Sequence, residues 1–474
     1  MKKEEKTTPI SYITGSATSM NHDGSNVSQY GVYQSSDYIL GLQLESKTES
    51  EKRKEEDDTH QVKHPTSYAE TILHIFRGNI GTGLLAMGDA FKNGGLVFGS
   101  IMTVFLGIIS VHSQHLLLNC SDEMYRQTKR EKPPNFADTV GLVFATASPR
   151  LRPLALPMKI LVNLFLCATQ LGFCCIYIVF IANNVKMICD QYFNLELSVH
   201  MIFVVVPILL VCMVRNLKYL TPFSTVANIL MFLGVSVVIY EAAQNLPPVH
   251  TRAYIADWRQ LPLYFGTAIY AFEGIGLVLP LKNEMRNPEV FQKPFGVLNV
   301  GMVIVGCIFI TVGFLGYLQW GDDVAGSLTL NLEPGQIVSK LVQVAIALAM
   351  LLTYPLQFYV PVDITWPSLM KRFGGSNPVA MELFYRVLLV LLTFILAESI
   401  PQLGLFISLV GAVSSTALAL IFPPIIEMVM AAQKPGRVTF YMVVKDLVII
   451  TLGIFIFVTG TFESITSIIK AFQQ

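Results

Sequence analysis

Long apolar runs separated by short polar stretches dominate the chain from about residue 70 to residue 461. Eleven of them are predicted to be membrane-spanning helices: 69–91, 94–118, 158–184, 199–215, 219–240, 261–281, 296–318, 336–360, 381–400, 402–428 and 441–461. Each has about 17 to 27 residues, the length that crosses a ~30 Å hydrocarbon core. The ninth and tenth nearly touch at Pro401. The pattern divides the chain into a polar tail at 1–67, a transmembrane region at 68–465 and a short tail at 466–474.

Two runs carry glycine breaks at matching places, five spans apart. The first reads Gly78-Asn79-Ile80-Gly81-Thr82-Gly83 and the sixth Phe272-Glu273-Gly274-Ile275-Gly276. A broken helix frees backbone N–H and C=O groups that hydrocarbon cannot satisfy, so it persists where the bare backbone lines a cavity. Paired breaks of this kind point to an inverted-repeat secondary transporter with its substrate site at the midplane. The alternative is that the glycines only let helices pack closely.

Composition agrees with a membrane protein. Of 474 residues, 53% are hydrophobic and 14% charged, against roughly 25% charged in soluble domains. Residues 1–67 hold 8 Lys/Arg and 11 Asp/Glu, which leaves the body sparser still. That tail is rich in Ser, Thr, Asn and Gly, cannot bury enough surface to fold, and is expected to be disordered. It has no apolar stretch of the kind a cleaved signal needs. The balanced net charge excludes a nucleic-acid partner, and the lipid bilayer is the expected surrounding.

Lysine and arginine are unevenly placed among the loops. With the tail in the cytosol, the inner loops carry about 16 and the outer segments about four, a strong positive-inside bias. Eleven crossings then put the C-terminus outside or in an organelle lumen. Sequons at Asn26 and Asn119 fall on the cytosolic side and should go unused.

The restarted half-helix after Gly81-Thr82-Gly83 presents free N–H groups and a positive dipole end, suited to an amino-acid carboxylate. The candidate substrate-binding residues are Asn79, Gly81, Thr82, Gly83, Phe272, Gly274 and Gly276. Phe272 could close over a substrate or merely pack. Glu273, a carboxyl at membrane depth, could take a proton, pair with a cation or bond the freed amides. His74, before the first break, titrates near neutrality and is the first candidate for proton coupling, with Glu273 the second. His112 is weaker. Arg77 is expected to snorkel or pair. The seven cysteines form no metal pattern, and there is no serine-hydrolase motif, paired intramembrane aspartate or phosphate loop. No metal, cofactor or enzymatic activity is expected.

Several motifs together resemble the proton-coupled amino acid transporter family, within the amino acid/auxin permease group. They are Ile80-Gly81-Thr82-Gly83-Leu84-Leu85 with His74 upstream, and Phe265 to Gly276 followed by Leu279-Pro280-Leu281. Also included are Gly316-Tyr317-Leu318-Gln319, Leu328-Thr329-Leu330-Asn331-Leu332, Gln357-Phe358-Tyr359-Val360-Pro361 and Ser408-Leu409-Val410-Gly411. The similarity spans about residues 64–465, and the tail and loops are most like insect members. It implies an all-α, LeuT-like five-plus-five inverted repeat with one further helix. It implies import of small neutral amino acids such as alanine, glycine and proline with a proton, at the plasma membrane or on endosomes and lysosomes. The family's essential histidine falls on His74. Many relatives carry an outer disulfide; here Cys189 matches its first cysteine, but Glu333-Pro334-Gly335 offers no second, so the bridge is not expected. Three functions stay open on sequence: a proton symporter, an uncoupled uniporter, and an amino acid sensor whose tail docks a nutrient-signalling partner.

Overall fold

The computed structural model describes residues 65–130, 132–215, 221–373, 377–434 and 436–473. The expected tail, apart from its last three residues, lies outside them. The described residues are helical, with no sheet. Among them nine helices are long and apolar enough to cross a membrane, and large apolar side chains such as Ile101, Ile108, Phe203, Leu210, Phe232 and Phe455 face outward. A soluble protein rarely leaves so much apolar surface uncovered. This is a multi-pass membrane protein.

The first expected span is cut into three pieces: α1 (Tyr68–Asn79), α2 (Thr82–Leu85) and α3 (Met87–Gly94). A capping box starts α1, with Glu70 N–H donating to Ser67 Oγ and Ser67 N–H to Glu70 Oε2. Next come α4 (Leu96–Thr128), α5 (Phe136–Thr146), α6 (Ala155–Cys189), α7 (Leu197–Cys212) and α8 (Thr221–Ala242). The sixth expected span is again split, into α9 (Leu261–Ala271) and α10 (Ile275–Glu284). A short α11 (Pro288–Phe291) precedes α12 (Val297–Trp320), α13 (Ile337–Phe373) and α14 (Pro378–Ser399). The next span begins as α15 (Leu403–Val410), widens into π-helical turns at Gly411–Ser415 and Ala417–Ile421, and ends as α16 (Phe422–Ala431). The last helix is α17 (Phe440–Gln473).

Several boundaries depart from the hydropathy pattern. The broken first span and α7, a 16-residue helix that rises ~24 Å, fall outside the nine long apolar helices. The stretch between the second and third spans contains α5, which the sequence left as loop. It is too short to cross, yet almost all of it is buried against α4, α6 and α16. Asn135 caps it, accepting from Asp138 N–H at 2.8 Å, and Asp138 pairs with Lys159 at 2.9 Å. The expected short tail at 466–474 is not separate, because α17 continues to Gln473. Ile468, Ala471 and Phe472 settle against the turn at Ile400, Pro401 and Gln402. Residues 65–67 are likewise ordered. Thr66 N–H donates to Glu284 O and Arg286 N–H to Thr66 O, both at 3.0 Å, which ties the start of α1 to the end of α10.

The two broken spans are surrounded by the rest. α3 packs on α9 and α12, and α9 on α15 and the turn at Gly411. Glycine makes these approaches possible. A Cβ on Gly411 would lie 1.9 Å from Gly266 O, and one on Gly266 would lie 2.4 Å from Ser408 O. Backbone touches backbone here, so a methyl group can be admitted only by separating the helices.

Gly411→Ala should therefore cost about 3 kcal/mol, the upper end for overpacking. Gly306→Ala, where a Cβ meets nothing within 4 Å, should be neutral or slightly stabilising. Thermal unfolding followed by fluorescence-detected size exclusion would show the contrast, and equal midpoints would contradict the contact.

Candidate functional site

The two helix breaks face each other. α1 ends at Asn79, the chain extends through Ile80 and Gly81, and helix resumes at Thr82. α9 ends at Ala271, and helix resumes after Gly274. A Cβ on Gly83 would sit 2.8 Å from Ala271 Cα, and one on Gly274 would rest 3.4 Å from the Asn79 amide. Thr82 Oγ1 and Tyr270 Oη share a 2.8 Å hydrogen bond across the gap, worth about 1 kcal/mol. Side-chain identity at these positions thus sets how closely the broken segments meet.

Between them lies a small, narrow cavity. Gly78, Asn79, Gly81, Thr82 and Gly83 line it from the first break, and Tyr270, Ala271 and Glu273 from the second. Phe173 and Tyr177 of α6 and Gln357 of α13 complete it. The lining carries unmet polar capacity. The first N–H groups of a restarted helix have no partner one turn back, and those of Gly81, Thr82 and Gly83, which line the cavity, have no backbone acceptor among the described residues. Asn79 Nδ2 donates to Ile75 O at 2.9 Å, while Asn79 Oδ1 has no donor. Glu273 is buried with its carboxyl beside the Ser415 hydroxyl, and its Oε2 makes no other hydrogen bond. Free amide donors on one side and free oxygens on the other suit a molecule that is anionic at one end and cationic at the other.

Of the residues expected at the site, the structure brings Asn79, Gly81, Thr82, Gly83 and Glu273 to this cavity. Gly274 lies just behind it. It lines a second, narrower crevice with His74, Asn79 and Gln114. His74 also borders a wide, solvent-open vestibule with Thr66, Glu70 and Arg286. It therefore stands between that vestibule and Asn79 and does not line the cavity. Phe272 is not brought to the cavity. Its ring packs edge-on to Phe309 at 5.0 Å and against Gly107, where a Cβ would come within 3.2 Å. Gly276 stands apart as well, facing Leu166. Arg77 is half-buried beside Tyr177. His112 is held by Lys445, away from both breaks.

Phe173, Tyr177 and Tyr270 were missed because aromatic residues in apolar helices look like core. Gln357 carried a fainter signal, as a polar side chain in the apolar run of α13.

The comparisons with known proteins decide the family. The model described as "Transmembrane amino acid transporter protein" matches residues 64–466. The chain belongs to this transporter family. It is 36% identical over 415 residues to "Proton-coupled amino acid transporter-like protein pathetic" of Drosophila melanogaster, covering 87% of each chain. It is 27% identical over 421 residues to "Probable amino acid transporter skat-1" of Caenorhabditis elegans, covering 85% of this chain and 90% of that one. The resemblance to proton-coupled amino acid transporters, an insect member among them, is thus shown. These relatives are named as transporters, so the family is not enzymatic. Among solved structures, that of MhsT in complex with L-phenylalanine aligns with 85% of this chain and 97% of its own. The TM-score is 0.42 and the identity 14%.

The two glycines of the first break should behave differently. Gly83→Ala drives a methyl group into Ala271 backbone and should cost about 1–3 kcal/mol of stability. Gly81→Ala projects into open space and should leave stability unchanged. Thermal midpoints of purified protein would test this, and an equal loss in both would contradict the geometry.

Proposed function

We propose that this transporter carries small neutral amino acids, of the alanine, glycine and proline type, into the cytosol together with a proton. The observation that carries the reading is the cavity between the breaks, with free amides at Gly81–Gly83 and free oxygens on Asn79 and Glu273. The substrate carboxylate lies on the amides and the positive end of the restarted helix. The ammonium group turns toward Asn79 Oδ1 and Glu273. No Lys, Arg or Asp lines the cavity to balance a charged side chain, and its size favours a small one. Gly274 supports the site by admitting Asn79, while Phe272 and Gly276 serve packing.

His74 carries the coupled proton and releases it to the vestibule, which lies on the cytosolic side with Thr66 and Arg286; Glu273 is the alternative acceptor. Its support is position: it bridges the vestibule and the crevice that Asn79 shares with the cavity. The architecture we propose is eleven spans, as a LeuT-like five-plus-five inverted repeat and one further helix. The N-terminus is cytosolic and the C-terminus extracellular or lumenal, in the plasma membrane or that of endosomes and lysosomes. The lysine and arginine bias of the loops supports this orientation.

Radiolabelled alanine uptake at acid and neutral pH tests the transport reading. Acid should stimulate uptake in the wild type. Gly81→Val should abolish uptake with surface expression retained, because its side chain fills the cavity, and His74→Ala should remove the acid stimulation. Normal uptake by Gly81→Val would refute the site. Full pH dependence in His74→Ala would move the coupling proton elsewhere, and binding without flux would indicate a sensor. Lysine and glutamate should compete poorly with alanine.

Epitope tags at both ends test the topology. An N-terminal tag should be reached only after permeabilisation of the plasma membrane, and a tag after Gln474 without it. A C-terminal tag reachable only from the cytosol would break the eleven-span arrangement.

A further inference from the structure

The narrow crevice behind the cavity is lined by two amide side chains whose oxygens have no donor. Asn79 ends α1 and Gln114 lies in α4, and both are more than nine-tenths buried. Both line the crevice together with His74 and Gly274. Asn79 Nδ2 donates to Ile75 O at 2.9 Å, and Gln114 Nε2 makes a longer bond to Ser110 Oγ, 3.5 Å. These contacts fix which end of each amide is oxygen. Asn79 Oδ1 and Gln114 Oε1 are then left without a hydrogen bond among the described residues.

A buried carbonyl oxygen with no donor costs free energy, so the crevice suits a guest that brings hydrogens. Space and chemistry narrow the choice. The free space is about that of one water molecule, and Leu277, Val278, Leu298 and Met302 make most of the wall apolar. A hard metal cation takes about six oxygen ligands, and the side chains here offer two. Water has one hydrogen for each amide oxygen and keeps its lone pairs for a third partner.

His74 is in place to be that partner, since it borders the crevice on one side and the vestibule on the other. A neutral imidazole has one accepting nitrogen, and a protonated one only donates. A protonated water has three hydrogens, which match three acceptors: Asn79 Oδ1, Gln114 Oε1 and the neutral His74 ring. When the proton passes to His74, an O–H bond breaks and an N–H bond forms. The water left behind still donates to both amide oxygens, and its lone pair accepts from the new N–H. Every polar group is satisfied before and after the transfer.

The other ionisable groups around His74 are engaged or stand outside the crevice. On α1, Glu70 closes the capping box and Arg77 lies beside Tyr177. Glu70 and Arg286 share the vestibule with His74. On α10, Lys282 pairs with Asp122 of α4, and Glu284 is exposed. On α4, His115 bonds to Asn299, His112 to Lys445, and Glu123 pairs with Lys434. α12 contains no Asp, Glu, Lys, Arg or His.

We propose that Asn79 and Gln114 hold one water molecule in this crevice, and that it hands the coupled proton from the cavity side to His74. Gln114 is thereby a positioning residue for coupling, although it does not line the substrate cavity. The relay rests on the proposed coupling through His74; the water site does not.

Electron cryo-microscopy of the full-length protein in nanodiscs, in sodium and in choline buffer, tests the site. Density within hydrogen-bond distance of both Asn79 Oδ1 and Gln114 Oε1 is expected in both buffers. No density there, or density only in sodium, would overturn it. Alanine uptake at acid and neutral pH tests the relay. Gln114→Leu removes the oxygen with little change of size, so acid stimulation should disappear while saturable alanine binding persists. Gln114→Glu, which restores an oxygen, should keep the stimulation. Gln114→Met, also without oxygen, serves if the leucine variant does not fold. Acid stimulation kept by Gln114→Leu or Gln114→Met would overturn the relay alone. Loss of alanine binding in both would make Gln114 structural and overturn the relay too. A wild type with no acid stimulation would overturn the coupling reading, and the relay with it.

Discussion

A peptide group that leaves a helix inside a bilayer must find a partner other than water, and the rest of this molecule is organised around meeting that constraint twice. Stopping α1 at Asn79 and α9 at Ala271 leaves amides and carbonyls bare side by side. Part of the cost is met locally. Ile80 N–H still reaches Phe76 O at 2.6 Å, and Phe272 N–H reaches Ala268 O at 3.1 Å. The remainder is left facing one cavity, where a ligand that carries its own donors and acceptors can supply the missing partners. Selectivity for a zwitterion and the stability of the loaded state then share one cause.

Holding two interrupted helices in register requires rigid surroundings, and glycine contacts provide much of that. Gly83 sits against Ala271, Gly266 against Ser408, and Gly411 against Gly266. Dispersion over such close backbone approaches, rather than hydrophobic burial, drives helix association in lipid. The end of α15 sets Ser408 against the second broken span, where its Oγ donates to Leu263 O at 3.1 Å, and the widened turn Gly411–Ser415 brings Ser415 beside Glu273. At the other end of α1 the backbone bonds of Thr66, together with the Lys282–Asp122 ion pair at 2.5 Å, join the first broken span, the second and α4. Any movement that opens the cavity toward this end has to undo those contacts.

Much of this was legible in the sequence, for physical reasons that also mark where legibility ended. Apolar run length tracks bilayer thickness, so the apolar middles of the long helices were found, and Val297–Trp320 nearly to the residue against an expected 296–318. The breaks were legible because clustered glycines at matching places in two apolar helices either open the backbone or let helices approach, and the pairing favours the first. Helix ends beyond the hydrocarbon were not, since α4, α13 and α17 run on past the apolar window into polar residues that favour helix equally well. α5 was invisible because eleven residues cannot span and a buried helix of that length has no periodic polar face. Within the site, backbone glycines and Glu273 could be named in advance. Phe272 could not be told from a gate until Phe309 and Gly107 were seen to hold its ring, and Tyr177 and Gln357 come from helices that carry no break.

The central claim is that a zwitterion completes the unpaired backbone of the first break. An electron cryo-microscopy structure of the protein in nanodiscs with saturating L-alanine tests it most directly. The account predicts ligand density in the cavity, with the carboxylate within hydrogen-bond distance of the Gly81, Thr82 and Gly83 amides and the ammonium group toward Asn79 Oδ1 and Glu273. Alanine density in the His74 vestibule with the cavity empty, or a carboxylate turned toward Glu273, would contradict it.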